Sequence, residues 1–407
     1  MLSFNDALAI ARNLGRQMTP VAEQVDVSDA VGRISACSLD APIHLPPFDN
    51  SAMDGFAVRQ ADLEAATPQS PVMLHYAGQI AAGDVPDLML KPGQCIEIMT
   101  GAPMPQGADA VVPVELTGRE QDTVSFNKPA APRQHIRSAG SDISKGQTIL
   151  NPGERLHQGH ILPLSSLGIS HVEVWRAPRI ALIITGSELV DDAAQPLKPG
   201  QIYNSNLAHA ASWLDATGCM VIFTHTAADT TDALLSALTQ AQQAGADAII
   251  CTGGVSMGRY DLVPEAVSTT GATTLFHRIR MRPGMPQLLA RLPDGTPLFG
   301  LPGNPISAAC GLRFLVESWR RAFLRLPVEA PITARLTHDM QGKRGFTFFA
   351  KARHQVDETG QMQVTALDGQ LSYMTHPMAR MTCWLHVPDS SELTEGDLVQ
   401  LYPVLPA

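Results

Sequence analysis

Between residues 177 and 325 the apolar positions switch repeatedly between two spacings. "RIALIIT" (179–185), "MVIFTHTA" (220–227), "DAIICT" (247–252) and "TPLFG" (296–300) are short, β-favouring runs, as expected of strands buried on both faces. Between them, "NLAHAASWLDATG" (206–218), "TDALLSALTQAQQAG" (231–245) and "ISAACGLRFLVESWRRAFL" (306–324) carry apolar residues at helical spacing. Strand and helix in alternation predict an α/β domain with a largely parallel sheet covered on both faces.

The flanking pattern is different. "MLSFNDALAIARNLGRQ" (1–17) predicts an amphipathic helix, and Pro42, Pro46 and Pro47 force extended backbone just beyond it. "PVMLHYAG" (71–78), "GQCIEIMT" (93–100), "DAVVPVE" (109–115) and "TVSFNKP" (123–129) are strand-like and rich in turns, which predicts a small, mostly β domain. "GSDISKGQTILNPGERL" (140–156) is an extended connector leading back out of it. After residue 330 short alternating runs such as "FTFFAKARHQV" (346–356) and "LVQLYPVL" (398–405) predict a small, barrel-like β domain. The expected division is residues 1–47 with 143–176 as N-terminal helix and connector or dimerisation region, 48–142 as the small β domain, 177–327 as the α/β domain and 328–407 as the C-terminal β domain.

Composition narrows the setting. The chain has 407 residues, 44% of them hydrophobic and 17% charged. No apolar run approaches the ~20 residues needed to span a bilayer. The N-terminal stretch mixes Asp and Arg into its apolar pattern, unlike a signal peptide, so a cytoplasmic location is expected. The six cysteines are scattered without metal-ligand spacing, and buried free thiols are expected. A net charge of −10 argues against non-specific binding to nucleic acid but leaves room for a small anion at a local site.

Candidate chemistry lies in the loops that leave the α/β strands. "TGSELV" (185–190) presents Glu188, "AADTTD" (227–232) presents Asp229, and "TGGVSMGRYD" (252–261) presents Asp261. Gly253 and Gly254 let backbone N–H groups approach an anion beyond a strand's carboxyl end. "GLPGNPISA" (300–308) sets Asn304 as N-cap and Pro305 at the first position of an outward-facing helix. Each acid taken alone reads first as a helix cap. Three acids beside an open helix N-terminus point to Mg²⁺ with a phosphorylated, nucleotide-like substrate. In the β domain, "PPFDNSAMDGFAVR" (46–59) and "MTGAPMPQGADAVVPVE" (99–115) crowd polar and turn-forming residues together, and tight-turn chemistry is the alternative explanation there.

These motifs, with "GQIYNSN" (200–206) following "TGSELV", resemble in sequence and order those of the MoeA family, the molybdopterin molybdotransferases, which include the E domain of gephyrin. The resemblance runs from about residue 1 to 330. It implies an elongated homodimer of four-part subunits, in which the β domain of one chain meets the α/β domain of the other. It implies a transferase that inserts molybdate into the dithiolene of adenylylated molybdopterin, assisted by Mg²⁺, with release of AMP. By motif position, Asp54, Thr100, Glu188, Asp229 and Asp261 would be catalytic, with Asp229 and Asp261 serving the metal. Thr185, Gly186, Ser187, Asn206, Gly253, Gly254, Ser256, Arg282, Pro302, Asn304, Pro305 and Ser372 would hold the cofactor. Arg137 and Asp142, in "HIRSAGSDISKG" (135–146), match a further family stretch. The implied partners are the molybdopterin adenylyltransferase and downstream cofactor-maturation proteins, with neither nucleic acid nor membrane.

The chain departs from the family at "RPGMP" (282–286), where "KPGKP" is usual, and around "GQLSYMT" (369–375), where Leu371 replaces the glycine before Ser372. Met285 cannot supply a lysine's charge. A non-catalytic molybdopterin carrier, or a different hydrolase on the same binding domain, are the alternative readings.

Overall fold

The computed structural model describes residues 1–85, 87–255 and 262–406. The alternating stretch forms a six-stranded sheet in the order Met220–Ala227, Arg179–Thr185, Ala248–Thr252, Pro297–Leu301, Leu288–Arg291, Thr273–His277. The first four strands are parallel, and Leu288–Arg291 is antiparallel to both its neighbours. Side chains divide by the two-residue period of a strand. Ile180, Leu182 and Ile250 pack toward helix Ser205–Ala216 and the helical run that begins at Pro305. Ala181, Ile183, Ile249 and Cys251 pack toward helices Thr231–Gln243 and Val263–Thr269. All seven are 0% exposed, and burying one such Ile or Leu stabilises by about 1.5–3 kcal/mol.

The run from Pro305 to Phe323 is continuous but not uniform. Pro305–Cys310 and Glu317–Phe323 are α-helical, and Gly311–Val316 between them is a π-helical stretch. Two buried arginines on it are held by carboxylates. Arg313 donates to both oxygens of Glu329 at 2.8 and 2.6 Å, and Arg320 to both oxygens of Glu317 at 2.7 and 2.8 Å. Against this run lies the N-terminal helix Phe4–Gln17. Its Ser3 cap accepts the Asp6 N–H at 3.1 Å, and Phe4, Ala7, Ala11 and Leu14 enter the same core. The approach is so close at Gly15 that a Cβ would sit 2.5 Å from the Trp319 carbonyl oxygen.

Two lengths of chain then run side by side as a connector. Ala22–Asp26 pairs with His171–Trp175, Leu39–Asp40 with Thr148–Leu150, and Asn50–Ser51 with Ile136–Arg137, all antiparallel. Between the connector's far ends is a second six-stranded sheet, in the order Ala110–Pro113, Gly55–Val58, Gln94–Ile98, Val72–Ile80, Thr123–Phe126, Thr117–Glu120. At the C-terminus, Thr347–Val356, Met362–Ala366, Ile332–Leu336, Leu398–Pro403 and Cys383–Val387 close into a five-stranded barrel. The short strand Met281–Arg282 of the α/β region adds to the barrel beside Thr347–Phe348. The expected α/β-plus-β architecture is present. Among the described residues no helix is long and apolar enough to cross a membrane.

Candidate active site

The carboxyl ends of the parallel strands form one continuous rim. Asp229 Oδ2 accepts the Ser187 N–H at 2.8 Å, and the Asp229 N–H is 3.4 Å from Ser187 Oγ. This reciprocal pair joins the "TGSELV" and "AADTTD" loops. Asp229 is not a helix cap, because Thr230 caps the next helix through the Ala233 N–H. One strand over, Gly253 has φ +90°, and a Cβ there would lie 2.6 Å from both the carbonyl oxygen and Oγ1 of Thr185. The Gly253 N–H donates to Leu301 at 3.0 Å. Asn206 then donates its Nδ2 to the Gly303 carbonyl at 2.8 Å, tying helix Ser205–Ala216 to the loop of Pro302 and Asn304. Thr185, Gly186, Ser187, Asn206, Asp229, Gly253, Gly254, Pro302, Asn304 and Pro305 thus share one edge of the sheet. Asn304 is the N-cap residue of the Pro305 helix but makes no capping bond through its side chain. Glu188 is exposed on the same edge. Ser256 and Asp261 lie outside the described residues.

A polar lock behind this rim was not anticipated from the sequence. Asn204 is 8% exposed, donates to Asp191 Oδ1 at 2.8 Å and accepts the Leu207 N–H at 3.1 Å. Thr226 Oγ1 lies 2.8 and 3.0 Å from the two Asp191 oxygens. Three elements are fixed around one carboxylate, and the loop carrying Glu188 leaves from it. The three residues are spread over 191, 204 and 226, so no local motif announces them.

Asp54 and Thr100 form a second, separate centre in the β domain. Asp54 Oδ1 accepts both the N–H and the Oγ1–H of Thr100, each at 2.7 Å. These two bonds hold its carboxyl below the usual range. Both residues are exposed. Nearby, Asp49 accepts the Ala139 N–H and the Arg133 guanidinium, both at 2.8 Å, which fixes the returning connector. Arg137 and Asp142 are exposed on that connector, engaged through backbone pairing with Asn50 and Leu45.

The "RPGMP" loop and the barrel meet the rim at the start of the Pro305 helix. The Ile306 N–H donates to the Ser372 carbonyl at 3.2 Å, so Ser372 reaches the helix entrance through its backbone. Its loop is pinned by Lys351, only 1% exposed, whose Nζ donates to the Leu371 and Met374 carbonyls at 3.2 and 3.0 Å. Burial pushes that amine's pKa down. The signal the sequence offers for it is a single Lys within the apolar run "FTFFAKA" (346–352). Arg282 is exposed, its guanidinium 4.5 Å from the centre of the Phe346 ring. Met285 offers its Sδ to Arg278 at 3.8 Å.

Two family models divide the chain. Residues 2–168 match the MoeA N-terminal region (domain I and II), and residues 181–322 match a probable molybdopterin binding domain. The molybdopterin molybdenumtransferase 2 of Mycobacterium tuberculosis is 38% identical over 357 residues, 85% of this chain and 87% of that protein. The chain belongs to the MoeA family. The molybdopterin molybdenumtransferase of Synechococcus elongatus is 33% identical, over 87% of this chain and 88% of its own. The solved molybdopterin biosynthesis MoeA protein of Pyrococcus horikoshii superposes with a TM-score of 0.86 at 30% identity, over 99% of both chains. The MoeA relationship therefore extends through the C-terminal barrel, beyond residue 330 where the sequence motifs fade.

In this MoeA chain the rim is assembled from the sequence-predicted loops, whereas the Asp54–Thr100 pair makes no described contact with it. Among the described residues, no group of three or more His, Cys, Asp or Glu side chains gathers as a metal site. All six cysteines are free thiols.

Proposed function

We propose that the chain is a molybdopterin molybdenumtransferase that inserts molybdate into the dithiolene of adenylylated molybdopterin and releases AMP. The observation that supports this most is the union of the "TGSELV", "AADTTD", "TGGV" and "GLPGNP" loops into one rim, through Asp229–Ser187, Gly253–Thr185 and Asn206–Gly303. Oxygen donors and close-packed glycine backbone are what a phosphorylated pterin and a hard cation require. Among the described residues Asp229 engages only one oxygen in a hydrogen bond, and Glu188, one residue past its partner Ser187, is exposed. Their carboxylates, with Asp261, are suited to hold Mg²⁺, which when bound would neutralise charge on the phosphoric anhydride that breaks. Thr185, Gly186, Ser187, Asn206, Gly254, Ser256, Pro302, Asn304 and Pro305 orient the pterin and its phosphates in this reading, and Arg282 supplies a permanent cation for an oxyanion.

Asp54 and Thr100 complete the site from a second copy of the chain. Their exposure at the far end of the connector favours a homodimer with shared sites. Asp54, kept ionised by Thr100, serves the reacting centre of the neighbouring subunit. The test is one assay: purified protein, adenylylated molybdopterin, molybdate and Mg²⁺, with AMP quantified by chromatography. Molybdate-dependent AMP release is expected. Bound pterin with no AMP above the protein-free control would leave the carrier reading in its place.

A further inference from the structure

Gln287 directly follows the "RPGMP" loop and is 0% exposed. Its Nε2 donates to the Ser307 carbonyl at 3.1 Å. That carbonyl is in the first turn of the helix whose entrance carries Asn304 and Pro305. Two glycines make the space for this side chain. A Cβ on Gly284 would lie 2.7 Å from Gln287 Nε2, and a Cβ on Gly311 would lie 2.5 Å from its Oε1. Gly284 has φ +101°, where glycine is favoured in any case. Gly311 has no such conformational need, with φ −62° in the helical range. Its want of a side chain answers to Gln287 and to Leu301, whose Cδ2 would be 2.7 Å away. Gly311 is also where the α-helix gives way to the π-helical stretch, an irregularity often found at functional sites.

The main chain of Gln287 works in the same direction. Its N–H donates to Met285 at 2.9 Å, and its carbonyl accepts the Arg278 N–H at 2.8 Å. One residue is therefore bonded to the base of the loop on one side and to the helix's first turn on the other.

We propose that Gln287 is a positioning residue that fixes the distance between the 282–286 loop and the helix entrance at 304–306, and thereby sets how tightly the substrate's anionic groups are held. This rests on the reading of those two segments as parts of the substrate site. A bland packing role makes a different prediction. Among the described residues Gln287 Oε1 is buried with no hydrogen-bond partner. The Ser307 carbonyl also accepts the Gly311 N–H. Replacing Gln287 by Met, of similar length, removes one donated bond and one unpaired acceptor together, leaving Ser307 satisfied. Such an exchange is close to neutral for stability, so positioning and stability separate.

The experiment compares the parent and Gln287→Met for melting temperature, for the dissociation constant of adenylylated molybdopterin by equilibrium dialysis, and for AMP release. The expected result is an unchanged melting temperature, a dissociation constant and KM raised about tenfold, and kcat within about twofold. Gln287→Glu, which turns a carboxylate oxygen toward the Ser307 carbonyl, should weaken binding further. Unchanged binding in Gln287→Met, whether or not the fold is weakened, would overturn the proposal. Failure of the transferase reading is recognised separately, as absent AMP release by the parent, and the dialysis measurement still decides the role of Gln287.

Discussion

The rim of the α/β domain and the Asp54–Thr100 pair of the β domain are both polar, but they are built differently. At the rim nearly every group is held from another element. Asp229 is on one loop and Ser187 on another, Asn206 reaches Gly303, and Gly253 leaves no room for a side chain under Thr185. Asp54 and Thr100 hold each other and face outward. The contrast separates two kinds of candidate site residue. Those of the rim are fixed by the packing of their own chain, so altering them disturbs shape as well as chemistry. Asp54 is oriented by a single neighbour and is open to the outside; in the proposed function it serves the neighbouring subunit.

The largest effect expected is on turnover. Under the proposed function, Asp229→Asn and Asp54→Asn should each lower AMP release by about 10²-fold or more, since each weakens charge at the proposed reacting site while keeping an acceptor. They should part company under Ala substitution. Asp229→Ala strips the Ser187 N–H of its partner and unties two loops, which should cost about 1–2 kcal/mol in a denaturant melt, whereas Asp54→Ala, which frees Thr100 groups that water can reach, should move the melt less. Equal melts for the two Ala variants would remove the distinction between the regions.

Next is Gly253→Ala, which sharpens the claim that the rim is close-packed. A Cβ at 2.6 Å from Thr185 in a left-handed backbone should cost about 2 kcal/mol or more and reduce pterin binding with it. A Gly253→Ala protein with parental stability and affinity would show that the strand ends have slack.

The smallest effect is with pH. The Asp54 carboxyl is held below its ordinary value, so its bonds to Thr100 contribute fully above the unfolded carboxyl value of about 3.9 and are lost as pH falls through the lowered one. Activity requiring ionised Asp54 should therefore be flat in this group from neutrality down to about pH 5. Asp54 chemical shifts titrating between pH 5 and 7 would contradict that.

Much of this was legible because the relevant signals are local. The strands at 179–185, 220–227, 248–252 and 297–301 announce themselves as apolar runs, and the glycines and acids follow directly. Two strands of the same sheet, Thr273–His277 and Leu288–Arg291, were hidden. Leu288, Leu289 and Ala290 are buried but make an apolar run of only three residues, too short beside the "RPGMP" turn to mark a strand by itself. Helix Gln158–Ser166 was missed because it contains Pro163 and buries only Leu164. At the site, Asn204, Asp191, Thr226 and Lys351 act through contacts between distant segments, which no spacing rule reports. Ser372 was reached through the family resemblance alone, and its described contact is a backbone carbonyl, which the identity of a side chain does not encode.

The central claim is that one complete site takes its Asp54 and its Asp229 from different chains. Asp54→Asn and Asp229→Asn subunits, each inactive alone, should be co-expressed with different tags and the mixed dimers isolated by tandem affinity. A mixed dimer holds one site with both acids intact and one with both replaced. AMP release should therefore recover to about half the parental rate per dimer, the ratio of intact sites under shared two-fold symmetry. Verified mixed dimers that stay as inactive as either parent variant, or a protein that remains monomeric at assay concentration, would contradict the claim.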